Sequence, residues 1–189
     1  MRSKTFGLLM GAVLAPGVSL ADFVYTNVEV SYVDVEYDVG PGSIDGDGYR
    51  FSGSLQLNPT TFIFGEWEDQ DFDFGASGTA YSFGAGFRHG LSNSLDLIGT
   101  ASYVHAELEA GGSNFDDDGL GLGGGIRAQL APAFQFEAML HYVDLDDSGS
   151  NTGLDLLGRY YFSDRFALSL ATSLDDEVDT LSFGFRAEF

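Results

Sequence analysis

Four arginines recur at one place in a repeated pattern, and they are the residues best suited to chemistry. Arg88, Arg127 and Arg186 each close a run in which large apolar residues alternate with small ones: Tyr81-Ser-Phe-Gly-Ala-Gly-Phe-Arg88, Leu120-Gly-Leu-Gly-Gly-Gly-Ile-Arg127 and Leu181-Ser-Phe-Gly-Phe-Arg186. Arg159 holds the matching place in a fourth run. Alternation puts every one of them on a polar face. Asp96, Glu137, Glu188 and Asp155 fall on the polar faces of neighbouring segments. A guanidinium held away from bulk water needs a carboxylate partner. The pattern therefore predicts a network centred on Arg88, Arg127, Arg159, Arg186, Asp96 and Glu137. It reads either as a structural ion-pair layer filling a confined interior or as the lining of an ion path.

Carboxylates gather elsewhere too, in Asp69 to Asp73, Asp116-Asp117-Asp118, Asp144 with Asp146-Asp147, and Asp175 to Asp179. Oxygen-rich stretches of this kind take Ca²⁺ or Mg²⁺ weakly. None carries the spaced calcium-loop pattern with its closing Glu. His105 and His141, with Glu107 and Asp144 nearby, are the candidates for catalysis. No nucleophile–base pair can be placed from their spacing, so the chain reads as no enzyme. The composition gives 8 basic residues against 29 acidic ones and no Cys. Such acidity excludes a nucleic-acid partner, whose phosphates would be repelled. Without Cys there are no disulfides and no thiol chemistry.

The elements that position these residues are strands. Residues 1–21 read as a cleaved signal peptide, with basic Arg2 and Lys4, an apolar core from Phe6 to Ala15, and a small-x-small site at Ser19-Leu20-Ala21. Its removal leaves 6 basic residues against 29 acidic, a formal charge of −23. Residues 22–189 then form one domain of about ten alternating segments, with eight as the alternative count. Tyr49, Phe51, Gly53, Leu55 and Leu57 oppose Arg50, Ser52, Ser54 and Gln56, and later segments repeat the theme. The first strand is predicted from Val24 to Tyr37, with a phase slip and bulge near Tyr32-Val33. In the third, Trp67 is expected to face outward, because the other phase places Glu66 in lipid. Most segments have the nine to eleven residues that a tilted strand needs to cross a bilayer. Short turns alternate with longer acidic connections, and aromatic residues collect at both strand ends. The apolar face is rich in Phe and the polar face in Gly, Ser and Ala. That is the reverse of a soluble closed barrel, and it fits a transmembrane antiparallel up-and-down barrel whose narrow interior is largely filled.

The last nine residues alternate strictly, with Leu181, Phe183, Phe185, Ala187 and Phe189 against Ser182, Gly184, Arg186 and Glu188. This ending resembles the C-terminal signal of bacterial outer-membrane barrels, with Gly184 and the terminal Phe189 as its marks and Ala187 as a departure. The whole of 22–189 resembles the OmpA/OmpX-like, porin-like superfamily of small outer-membrane β-barrels. That resemblance implies the outer membrane of a Gram-negative bacterium, with both termini periplasmic. It implies lipid and lipopolysaccharide as surroundings and the barrel-assembly machinery as a partner during biogenesis. A monomer is expected. The reading is a surface-structure or surface-interaction barrel; a narrow cation-preferring channel is the alternative, and a rim hydrolase comes third.

Overall fold

The computed structural model describes residues 23–39, 42–175 and 178–189. The predicted leader, Asp22, and the connections at 40–41 and 176–177 lie outside the described residues. Ten strands follow in order: β1 (Asn27–Val39), β2 (Gly42–Asn58), β3 (Thr61–Phe72), β4 (Ala76–Ser92), β5 (Leu95–Ala110), β6 (Ser113–Ala131), β7 (Phe134–Leu145), β8 (Gly149–Tyr161), β9 (Phe166–Asp175) and β10 (Val178–Glu188). Each pairs antiparallel with its chain neighbours, and β10 closes on β1. The count is ten, not eight. Closure continues past the last strand, where the Phe189 N–H donates to the Thr26 carbonyl at 3.0 Å. A closed ring leaves no edge unpaired, which is what an apolar surrounding demands.

The outer surface is apolar over a broad belt. Leu120 is 66% exposed, Phe83 58% and Phe183 56%, and they are three of many. Trp67 points outward, as its phase required, while Phe62 and Phe64 point in. Tyr32, Tyr49, Trp67, Tyr81 and Tyr142 ring one margin of the belt. Phe87, Phe162, Phe166 and Phe189 mark the other.

Three expectations change. The phase of β1 does not slip, since its pairing with β10 and β2 is continuous through Tyr32 and Val33. What changes there is chemistry. Beyond Tyr32 the outward residues are Asp34 and Glu36, and the inward ones are the buried Val33 and Val35. The bulges sit instead at three short turns, where Leu57, Leu91 and Leu130 are the extra residues and all three are exposed at the lip. Finally, the acidic connections are mostly strand. Asp116, Asp117 and Asp118 lie within β6 and Asp144 within β7, and Gly111-Gly112, both at positive φ, make a two-residue turn between β5 and β6. Turn-like composition concealed a hairpin ladder that simply runs on past the belt. The first strand also starts later than predicted, because residues 23–26 leave the wall and enter the lumen.

Candidate functional site

Period-two alternation sends Arg88 (β4), Arg127 (β6), Arg159 (β8) and Arg186 (β10) into the lumen at the short-turn end. Arg127, Arg159 and Arg186 are each buried. They meet Asp96, Glu137, Glu29 and Glu188. Arg127 Nε lies 2.7 Å from Glu137 Oε2, and Arg159 Nη1 reaches the same oxygen at 3.1 Å. Arg186 Nε is 2.8 Å from Glu188 Oε1, with its Nη1 3.5 Å from Glu29 Oε2. Arg88 Nη1 is 3.6 Å from Asp96 Oδ2. Tyr161 donates to Glu188 at 2.7 Å, and Ser169 to Glu29 at 2.5 Å. Four positive and four negative charges thus form one neutral layer, and neighbouring hydroxyls add donors to it. Charges this buried persist only when paired and hydrogen-bonded.

Residues 23–26 complete the layer as a plug. Tyr25 is 1% exposed and Phe23 4%. The Tyr25 ring packs on Phe62 at 4.8 Å between centroids, and the guanidiniums of Arg127 and Arg88 cover it at 4.3 and 5.1 Å. Its hydroxyl donates to Asp96 at 3.0 Å. The barrel also binds the plug's backbone. Arg88 donates to the Phe23 carbonyl at 3.0 Å, Arg127 and Arg186 both reach the Val24 carbonyl at 3.4 Å, and Ser54 donates to the Tyr25 carbonyl at 2.7 Å. Three consecutive carbonyls that would otherwise be orphaned in a confined space are satisfied.

All six predicted network residues are therefore brought together. Tyr25 and Glu29 were missed, yet a signal existed. Phe23, Tyr25, Asn27 and Glu29 share one phase, opposite the outward Val28 and Val30. Gly184 also points inward, where a Cβ would collide with the hydroxyls of Ser31 and Ser169. It is a packing requirement as well as part of the terminal pattern.

Nearer the long-hairpin end the lumen holds two further clusters. Arg50 lies 2.5 Å from Glu68 and 3.6 Å from Glu66. His141 sits between Asp155 (Nδ1 to Oδ2, 2.9 Å) and Asp175 (Nε2 to Oδ1, 3.1 Å). Ser173 donates to Asp155 at 2.7 Å rather than to His141. Asp144 faces outward, away from His141. His105 and Glu107 are on the outer face, where His105 stacks on Tyr81 and contacts Asp118 at 2.7 Å.

The six predicted cation-site carboxylates are spread out. Asp118 is taken by Tyr103 and His105. Asp117 accepts the backbone N–H groups of Asp147 and Ser148 at 3.1 and 2.7 Å. The Ser148 hydroxyl first, then these backbone donors, hold the Asp117 carboxyl below its ordinary range. Asp116, Asp144, Asp146 and Asp147 are exposed. Among the described residues no three carboxylate or imidazole groups converge to hold a metal ion.

No family model matches the chain, and no curated protein matches its sequence. Among solved structures it is similar to the translocator domain of the autotransporter NalP from Neisseria meningitidis, at TM-score 0.50 and 10% identity over 89% of this chain and 90% of that one. The NanC porin gives 0.49 and 10% over 87% and 100%. Neisserial surface protein A gives 0.45 and 15% over 86% and 96%. The chain has the fold of the outer-membrane β-barrels, a closed antiparallel barrel of ten strands.

Proposed function

We propose that this protein is an integral outer-membrane barrel that acts in surface structure or surface interaction and does not conduct. The observation that carries the reading is the buried layer at the short-turn end, in which Tyr25 and four Arg–carboxylate contacts reach across the lumen. The apolar belt supports insertion in a bilayer. The short turns and both termini then lie in the periplasm, and the acidic hairpins project outward among lipopolysaccharide. The similar structures include a porin and a surface protein, and fold alone selects neither. A lumen closed by paired charge favours the surface role over the channel. An enzyme is the weaker reading, because both ring nitrogens of His141 are engaged by carboxylates and, among the described residues, no serine, threonine or tyrosine hydroxyl is hydrogen-bonded to it. The acidic collar would take divalent cations weakly, through isolated carboxylates. Planar-bilayer recording tests the proposal. The intact protein should insert without steady conductance, and a stable open channel would overturn it.

A further inference from the structure

Above the sealed layer the lumen keeps a cavity of about 530 Å³. That is within the size range of small-molecule sites. Tyr25, Arg127, Arg159 and Arg186 form its floor. The floor is electrically neutral, as described above, but the walls are not. They carry Arg50 and His141 against Glu66, Glu68 and Asp155, with Asp175 next to His141. Partnering is uneven as well. Glu68 takes Arg50 at 2.5 Å, which leaves Glu66 at 3.6 Å from the same guanidinium and, among the described residues, with no other ion pair. The Glu66 side chain is 40% open to the lumen and that of Asp155 42%. They stand on β3 and β8, five places apart in a ring of ten, so these two part-exposed carboxylates occupy opposite walls, Asp155 already bonded to Ser173 and His141.

The lining around them mixes hydroxyls with apolar side chains, among them Phe64, Ile98 and Met139. Ser52, Ser82, Thr100, Ser102 and Ser173 contribute acceptors. On β6, a Cβ at Gly121 or Gly123 would run into the hydroxyls of Ser102 or Thr100. The space exists because those positions lack side chains. Anions would meet a net negative wall, and a purely apolar solute would leave the carboxylates without a partner. A chelated metal needs ligands that converge, and these carboxylates stand apart. An ammonium group brings three donors and a charge, which suits one carboxylate with hydroxyls beside it. Low-dielectric walls focus the attraction.

We propose that this cavity is a binding site for a small organic cation bearing ammonium groups, above all an extended diamine held between Glu66 and Asp155. The proposal rests on the lumen being blind, since a passing solute would not be retained. Titration calorimetry of the detergent-folded protein with 1,4-diaminobutane tests it, with 1-aminobutane and Mg²⁺ as comparisons. The diamine should bind about tenfold tighter than the monoamine, the worth of one charge-assisted contact in a wet site. Glu66→Gln and Asp155→Asn are near-isosteric, and heat-modifiable gel mobility confirms that each is folded. Each should weaken the diamine about tenfold and bring it level with the monoamine. Replacing Asp116, Asp117 and Asp118 together by Asn, on the outer hairpins, should leave diamine affinity unchanged. Equal affinity for diamine and monoamine, loss only in the outer triple variant, or Mg²⁺ binding in preference to the diamine would each overturn the site. Bilayer conductance of the same preparation separates the two readings. A closed protein that binds no diamine overturns this inference alone, and a conducting one overturns both.

Discussion

Truncating Tyr25 asks whether four residues at the start of the barrel hold its lumen shut. Tyr25→Ala removes the stacking on Phe62, the two guanidinium contacts and the hydrogen bond to Asp96 at once. Truncating a buried aromatic costs about 3–5 kcal/mol. The cation–π contacts, at roughly 0.5–2 kcal/mol each, fall inside that figure because they involve the same ring. Asp96 is 2% exposed and would be left with Arg88 at 3.6 Å. Tyr25→Phe keeps the ring and removes only the donor, which should cost about 1–3 kcal/mol. The expected order is wild type, then Phe, then Ala, with Ala about 2 kcal/mol below Phe. Trp67 is the only tryptophan and lies on the outer face of β3, so its fluorescence follows guanidinium unfolding in micelles. In bilayers the Ala variant should show transient ion steps and the Phe variant none. Chain ends ordinarily fray. If Tyr25→Ala unfolds at the wild-type midpoint and stays electrically silent, residues 23–26 behave as such an end, and the charged layer closes the barrel without them.

Arg127→Glu should lose about 3–5 kcal/mol, as breaking a buried pair does. Adding Glu137→Arg should restore less than half in a double-mutant cycle, because Glu137 also takes Arg159 and Arg127 also covers Tyr25. Full recovery would show an isolated pair. Deleting Phe189 removes its backbone bond to Thr26 and an aromatic from the lip. Folding into liposomes, followed by gel mobility, should slow several-fold, and an unchanged rate would refute a role in closure. Asp117 has a depressed folded pKa, so its hold on Asp147 and Ser148 is complete above the ordinary carboxylate value and fades as pH falls through the folded one. Amide-exchange protection at 147 and 148 should therefore persist through the ordinary carboxylate range and drop only at pH below it. Asp117→Asn should flatten that response, and protection that ignores pH in the wild type would count against the contact.

The barrel and its ionic layer were legible because both follow from period two. Once β4, β6, β8 and β10 alternate, the inward facing of Arg88, Arg127, Arg159 and Arg186 has no freedom left. Trp67 was placed by the cost of putting Glu66 in lipid. The plug was not legible, because Phe23 and Tyr25 look like two more strand residues, and only the carbonyl contacts of Arg88, Arg127 and Arg186 show where that segment goes. Asp116 to Asp118 misled for the opposite reason. Their composition is that of a loop, but the β5–β6 register runs unbroken from Ala110–Ser113 to Leu95–Ala128. Ladder hydrogen bonds join backbone groups and are indifferent to side-chain polarity.

That indifference explains the apparent slip in β1 and sets the barrel's height. From Leu130 to Leu120 on β6 there are ten steps. At about 3.3 Å each and a tilt of about 40°, they rise about 25 Å, the height of a lipid-facing band. Beyond it the same strands continue with their preferences exchanged. Asp34, Glu36, Asp45, Asp47, Asp69 and Asp71 face out. Val33 and Val35 face in, and Tyr37 meets Phe72 edge-on at 5.5 Å. Around β1 the upper barrel is thus built like a soluble barrel, with apolar residues inside and carboxylates outside, while Glu68 and Asp175 keep charge in the lumen beside it. The lower is built for lipid. One continuous register serves both, and the exchange falls at the ring of Tyr32, Tyr49, Trp67 and Tyr81. Sliding the barrel by one residue pair toward the short-turn end would draw Asp34, Asp47 and Asp69 toward hydrocarbon. Sliding it the other way would lift Phe51 and Phe83 toward water. Each carboxylate drawn into the interface resists by up to about 1 kcal/mol and each aromatic lifted from it by up to about 2 kcal/mol, so the ring helps fix the vertical position.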